Sequence, residues 1–224
     1  HRDLHSFPTR RSSDLRKLVK ASQQGSGFDM RRLNGRTLTK EQPVLSVSFV
    51  HSHDDQPPMH GGKYRGHYVG DWFIAHAYAM ILLRDEGYPM VSNVDVINHP
   101  DLVKRLMLAR TNCTYGQRYD RFDHFNTVGW SFSGQHPFDN SMAVVMTNGD
   151  DGTKWLPTSR PHTRYRDITD ALLHTVQTNE HGWASFECPS QGTSVWIEES
   201  KYAQLVSQLS QIRYPELLGR LENS

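Results

Sequence analysis

The chain has 224 residues, 36% of them hydrophobic and 10% aromatic, with a formal net charge of +1, the composition of an ordinary globular chain with room for a sizeable core. Without residues 1–15, which hold Arg2, Arg10, Arg11, Asp3 and Asp14, acids and bases balance, which argues against a nucleic-acid partner. Cys113 and Cys188 make neither a metal motif nor a disulfide framework.

The stretch Ser6 to Leu15 (SFPTRRSSDL) matches the in-frame translation of a short-read sequencing adapter. Residues 1–15 are therefore expected to be an unstructured artefact, outside fold reasoning. The alternative is a genuine polar, basic tail. Val44 to Pro57 (VLSVSFVHSHDDQP) follows, a β-branched and apolar run that stops on His51, His53, Asp54 and Asp55. No face of Val44 to Val50 is charged, so the strand should be covered on both sides, and its polar end should carry chemistry, as at the rim of a parallel sheet or barrel.

Trp72 to Gly87 is apolar almost all round until Arg84-Asp85-Glu86 and then meets Gly87 and Pro89, which predicts a buried helix with its stop signal. Its apolar part ends at Leu83, too short for a bilayer, which takes about 20 residues, so no membrane is expected. A second apolar run from Met90 to Ile97 reads as a strand carrying Asp95, and a helical pattern covers about Pro100 to Ala109. Strand, helix, strand, helix is a parallel βα order.

From about Tyr115 the texture changes to short strands with turn residues between them: 127–132, 142–147, 153–156, 175–178, 183–187 and 194–197. This predicts an antiparallel Greek-key sandwich. The Asn148 to Gly152 turn reads as a hairpin tip. Trp130, Trp155, Trp183 and Trp196 alternate with polar residues, so core packing is expected, with carbohydrate stacking by one of them as the alternative. Tyr202, Leu205, Val206, Leu209 and Ile212 form one helical face, and Pro215 opens a second short helix.

The chain resembles the α-amylases of glycoside hydrolase family thirteen, in particular the liquefying bacterial and fungal intracellular type. The likeness runs in order through Gly27-Phe28-Asp29-Met30-Arg31, Gln42-Pro43, Phe49 to Pro57, Trp72-Phe73, Ala77-Tyr78-Ala79 and Glu86-Gly87-Tyr88-Pro89. It resumes at Asn148-Gly149-Asp150, Lys154-Trp155, Gly182-Trp183 and Ser194-Val195-Trp196. The resemblance implies an α/β plus all-β chain: residues 16–116 as the C-terminal part of a catalytic (β/α)8 TIM barrel, 117–199 as an all-β domain, and 200–224 as a helical tail to which the likeness does not extend. It implies a C-terminal fragment of an enzyme that cleaves α-1,4-glucans such as starch or glycogen with retention.

The family's last barrel motif, Asp-Asn-His-Asp, stands here as His51-Ser52-His53-Asp54. The resemblance thus gives His53 and Gln56 substrate-binding roles and makes Asp54 the transition-state stabiliser. His51 and Ser52 depart from the pattern, and in the last strand only Asp95 of the family's Phe-Tyr-Gly-Asp remains. Retaining glycosidases need two carboxyls about 5 Å apart, which the family carries on earlier strands. The fragment is therefore expected to be inactive, with no cofactor or metal of its own and calcium in the full-length parent. Two other readings are a non-catalytic glucan- or protein-binding module, and a metal-dependent amidohydrolase-like site at His51 and His53, with Asp54, His60 and His67 nearby. The metal reading needs ligands on other strands, where Asp95 alone is available. His76, on the apolar helix, is expected to be a hydrogen-bonded core histidine rather than a ligand.

Overall fold

A computed structural model describes residues 13–51 and 68–211. Helix α1 (Ser13–Gln24) leads through two 3-10 turns to the short α2 (Leu38–Glu41), and β1 (Val47–Phe49), α3 (Ile74–Leu82) and β2 (Tyr88–Met90) follow. Strands β1 and β2 pair in parallel, Val47 opposite Tyr88 and Phe49 opposite Met90, the parallel order read from the sequence. The short helix α4 (Asn93–Asn98) and the longer α5 (Pro100–Cys113) complete this half. Asp95 therefore sits on a helix, where a strand was expected. The chain leaves β2 after Met90, and the backbone N–H of Val96 already donates to Ser92 O.

Three further local expectations change. Ser13, Asp14 and Leu15 open α1 instead of forming a loose tail: Leu15 is buried and the Asp14 carboxylate accepts from the Thr39 hydroxyl. The strand at 44–50 is covered on one side only. Ser46, Ser48 and Val50 are buried, whereas Leu45 is 82% and Val47 48% exposed, and Tyr88 and Met90 on the neighbouring strand are exposed as well. Helix α3 ends at Leu82, before the Gly87 stop signal, because its last carbonyls find side-chain donors. Arg110 donates to Leu82 O at 2.6 Å and to Arg84 O at 3.1 Å, and the Trp130 indole donates to Leu83 O at 2.6 Å. Gly87, at φ +71°, instead turns the chain into β2, where a Cβ would lie 2.9 Å from Thr39 Cγ2.

The second half is antiparallel. A six-stranded sheet runs in the order β3 (Arg118–Arg121), β4 (Thr127–Phe132), β5 (Met142–Thr147), β10 (Thr193–Glu198), β7 (Arg164–Asp167), β8 (Thr175–Gln177), and a separate pair joins β6 (Gly152–Pro157) to β9 (Trp183–Cys188). The alternation of side chains along a strand sorts the core into two layers. Val128, Trp130, Phe132, Met142, Val144, Met146, Val195 and Ile197 face the helices, in one hydrophobic cluster with Leu18, Met30, Phe73, Ala77 and Leu106. Ala143, Val145, Tyr165 and Trp196 face the β6–β9 pair and its Leu156, Ala184 and Phe186. The central sheet is thus covered on both faces, which is why β4 and β5 are buried at every position.

Strands β3 and β7 are charged (RYDR and RYRD) and have no apolar alternation, so the sequence does not announce them. Partners hold them instead. Arg118 pairs with Asp85, Glu86 and Asp120, and buried Asp167 accepts from the backbone of Val195, Thr169 and Leu172.

The Asn148 turn links two sheets instead of closing a hairpin. Asn148 is fully buried, its amide donates to Gly25 O and Phe28 O at 2.8 Å each, and its own oxygen accepts from Asn126. At the end of β10, α6 (Glu199–Ser207) packs Leu205 into the core and sets Tyr202 beneath the Arg166 guanidinium at 4.2 Å. Ile212 and the helix expected at Pro215 lie outside the described residues.

Because one cluster joins α1, α3 and α5 to the sheet, the two halves should unfold together. Denaturation followed by far-UV circular dichroism and by tryptophan fluorescence should give one coincident transition. Trp130→Ala, which deletes a fully buried ring and the donor to Leu83 O, should lower the unfolding free energy by about 3–5 kcal/mol.

Candidate functional site

The polar end of β1 is the first candidate. His53, Asp54, Gln56, His60 and His67 lie outside the described residues. His51 is described, and it is almost wholly buried. Its Nδ1 lies 2.9 and 3.0 Å from the two carboxylate oxygens of Asp95, and its Nε2 lies 3.1 Å from Val69 O. The Tyr78 hydroxyl donates to Asp95 Oδ2 at 2.6 Å and accepts from the Ser92 backbone N–H at 3.3 Å. Burial above all, with Asp95 alongside, pushes the Tyr78 phenol up, so that it stays protonated as a donor. Both ring nitrogens of His51 are thus engaged by oxygen atoms of Asp95 and Val69, and neither faces open space. Among the described residues no group of three or more His, Cys, Asp or Glu side chains is placed to hold a metal ion.

His76 is the core histidine read from the sequence. It is fully buried, stacked on Phe73 with ring centroids 4.5 Å apart, and its Nε2–H donates to Thr147 O at 2.8 Å while Nδ1 has no partner. Burial depresses its pKa to about 4, so the ring is neutral at ordinary pH.

The second candidate is aromatic. Trp130 and Trp196 are core residues, as expected, but Trp155 and Trp183 are not. They stand diagonally on the outer face of β6 and β9, where Trp155 is opposite Ser185 and Trp183 opposite Pro157. Their rings lie 6.2 Å apart and 21° from parallel, and the Arg121 guanidinium sits 5.9 Å from the Trp183 ring. Trp155 is 51% exposed. The sequence registers the alternation of these tryptophans but not the face they take, because β6 and β9 leave the large sheet and cover it with their other side.

Comparisons with known proteins bear on both places. Residues 148–197, from the Asn148 turn to the end of β10, match the family described as Alpha-amylase C-terminal. The chain is 36% identical over 192 residues to an α-amylase of Geobacillus stearothermophilus, a match that covers 81% of this chain and 34% of that relative. The chain is a relative of the α-amylases. It spans about a third of the length of that curated relative. Among solved structures it superposes on a mutant α-amylase I from Eisenia fetida in complex with maltohexaose, with a TM-score of 0.62, 13% identity and coverage of 82% of this chain and 48% of that one. It also superposes on a γ-CGTase from an alkalophilic Bacillus clarkii, with a TM-score of 0.59, 16% identity and coverage of 82% and 31%. At those identities the likeness is one of fold.

Two stretches that carry the α-amylase likeness in the sequence meet in space, since Asn148 holds the backbone of Phe28. No helix among the described residues is long and apolar enough to cross a membrane.

The depressed pKa of His76 sets a pH dependence of known sign. A neutral buried histidine adds stability above the unfolded-state pKa of 6.5 that is lost as pH falls towards about 4. Equilibrium unfolding should lose about 3 kcal/mol from this group over that interval. In His76→Gln, whose amide can still donate to Thr147 O, that part of the slope should disappear.

Proposed function

We propose that the chain is the C-terminal part of an α-amylase-like glycoside hydrolase that cleaves α-1,4-glucans with retention. Residues 16–116 are read as the last strands of its (β/α)8 barrel, 117–199 as a Greek-key all-β domain and 200–224 as a helical tail. The observation that carries this reading is the parallel β1–α3–β2 unit, whose first strand precedes His53-Asp54 in the sequence, within a stretch 36% identical to an α-amylase. The exposed apolar side chains of Leu45, Val47, Tyr88 and Met90 support it, since strands of a barrel are flanked by further strands and helices. In this reading His53 and Gln56 bind the sugar, and Asp54 stabilises the oxocarbenium-like transition state. The nucleophile and acid/base belong to earlier strands, and calcium belongs to the longer protein.

The chain as given should then release no reducing sugar from starch, and activity abolished by Asp54→Asn would overturn this reading. In a longer protein that includes the earlier strands, Asp54→Asn should lower kcat by several orders of magnitude and His53→Ala by less, because both lose bonds that strengthen in the transition state.

A second reading, glucan binding without turnover, is favoured by the Trp155–Trp183 pair. A half-exposed indole beside a second, nearly parallel one offers a flat apolar surface for a sugar ring, and Arg121 and Ser185 supply polar groups beside it. Maltohexaose titration followed by tryptophan fluorescence should show binding. Trp155→Ala and Trp183→Ala should each weaken it by about 1 kcal/mol, roughly five-fold. Unchanged affinity in both variants would remove this reading and leave the first in place.

A further inference from the structure

The two buried histidines differ in what surrounds their nitrogens. His76 offers one N–H to one carbonyl and leaves its other nitrogen without a partner, the pattern of a neutral ring. At His51 both nitrogens face acceptors: the Asp95 carboxylate at Nδ1 and the Val69 carbonyl at Nε2. With Asp95 ionised, a neutral imidazole, which carries one N–H, would press a lone pair against an oxygen lone pair in either tautomer, a repulsion added to the cost of an unmade bond in a buried place. Asp95 cannot relieve this by turning to Tyr78, which stays protonated and donates to it. The titratable groups in contact with His51 among the described residues are thus Asp95, on α4, and through it Tyr78, on α3.

We infer that His51 is held as a doubly protonated imidazolium that acts as a positioning residue, bracing the end of β1 against Val69, α3 and α4 through Asp95 and Tyr78. The placement makes this consequential. Residue 51 and residue 69 are the two ends of the chain segment that contains His53, Asp54 and Gln56, and one ring bonds to both: covalently to the first, through Nε2–H to the second. The acidic residue that the α-amylase motif carries at position 51 would put a carboxylate against Asp95, whereas the histidine here offers Asp95 a donor. Its relevance to catalysis rests on the proposed roles of His53 and Asp54; its chemistry does not, and the test reads only the chemistry and the local bracing.

The test uses the whole chain labelled with 15N. At pH 7 both ring nitrogens of His51 should resonate as protonated, N–H-bearing nitrogens, while His76 should show one protonated and one bare nitrogen as an internal control. In Asp95→Asn the amide can donate to Nδ1, so His51 should switch to the neutral ring protonated at Nε2 alone. Amide hydrogen exchange then reads the bracing. In Asp95→Asn and His51→Gln, exchange at Val50, Val69 and Ser92 should rise at least ten-fold, with the β4–β5–β10 amides unchanged. A bare nitrogen on wild-type His51 would overturn the assignment of charge. Equal acceleration across all amides would overturn the bracing role, since it would mean only a general loss of stability. Either failure leaves the α-amylase reading standing, because that reading is tested by sugar release and not by the ring.

Discussion

The rest of the structure depends on how the C-terminal end of α3 is finished. A helix that ends inside a core leaves carbonyls without partners, and each unmet group costs about 1–3 kcal/mol. Here the donors come from elsewhere in the chain. Arg110 of α5 takes Leu82 O and Arg84 O, and Trp130 of β4 takes Leu83 O. The next side chain, Arg84, is 2% exposed and is bonded to Glu86, Asp120 and Asn34, with its guanidinium 5.3 Å from the Phe122 ring and 5.5 Å from the Trp130 ring. One short stretch therefore sets the position of α5, the edge strand β3 and the central strand β4 relative to α3. A buried arginine is costly unless its donors are met, and meeting them requires those elements to be where they are.

From that junction the layering follows. Once Trp130 points towards α3, the period of two in an antiparallel strand sends Val128 and Phe132 the same way, and the register of β4 with β5 and β10 carries the choice across the sheet. Met142, Val144, Met146, Val195 and Ile197 go to the helices, while Ala143, Val145 and Trp196 go to the β6–β9 pair. The same geometry turns Trp155 and Trp183 outward, because the inner positions of that pair are taken by Lys154 and Leu156 on β6 and by Ala184, Phe186 and Cys188 on β9. The exposed aromatic pair is thus a consequence of how the core is filled, and this is what makes it available to a ligand.

The two histidines show how little residue type says about surroundings. Each lies in a protein interior that disfavours an ion, yet their neighbours differ: His76 meets one carbonyl and an aromatic face, whereas His51 meets a carboxylate and a carbonyl on opposite sides of its ring. Burial favours the neutral form in the first case, whereas in the second an acceptor stands at each ring nitrogen.

What the sequence by itself determined was local and periodic. The apolar run of α3, the parallel strand–helix–strand order around it, the six regular β-strands of the second half and the core role of His76 all follow from spacing and burial preference, and so does the relation to the α-amylases carried by ordered motifs. Tertiary structure decided whatever depends on a distant partner. Strands β3 and β7 exist because arginines, carboxylates and neighbouring strands pair with them, although their own composition is that of a loop. Asn148 is a tether instead of a turn tip because Gly25 and Phe28 come to it from more than a hundred residues away. Asp95 lies on a helix where a strand was expected, and His51 is closed in between Asp95 and Val69, groups that chain order does not bring near. Periodicity records which side of an element is buried. It does not record which donor will meet which acceptor there, since that is settled by packing across the whole chain.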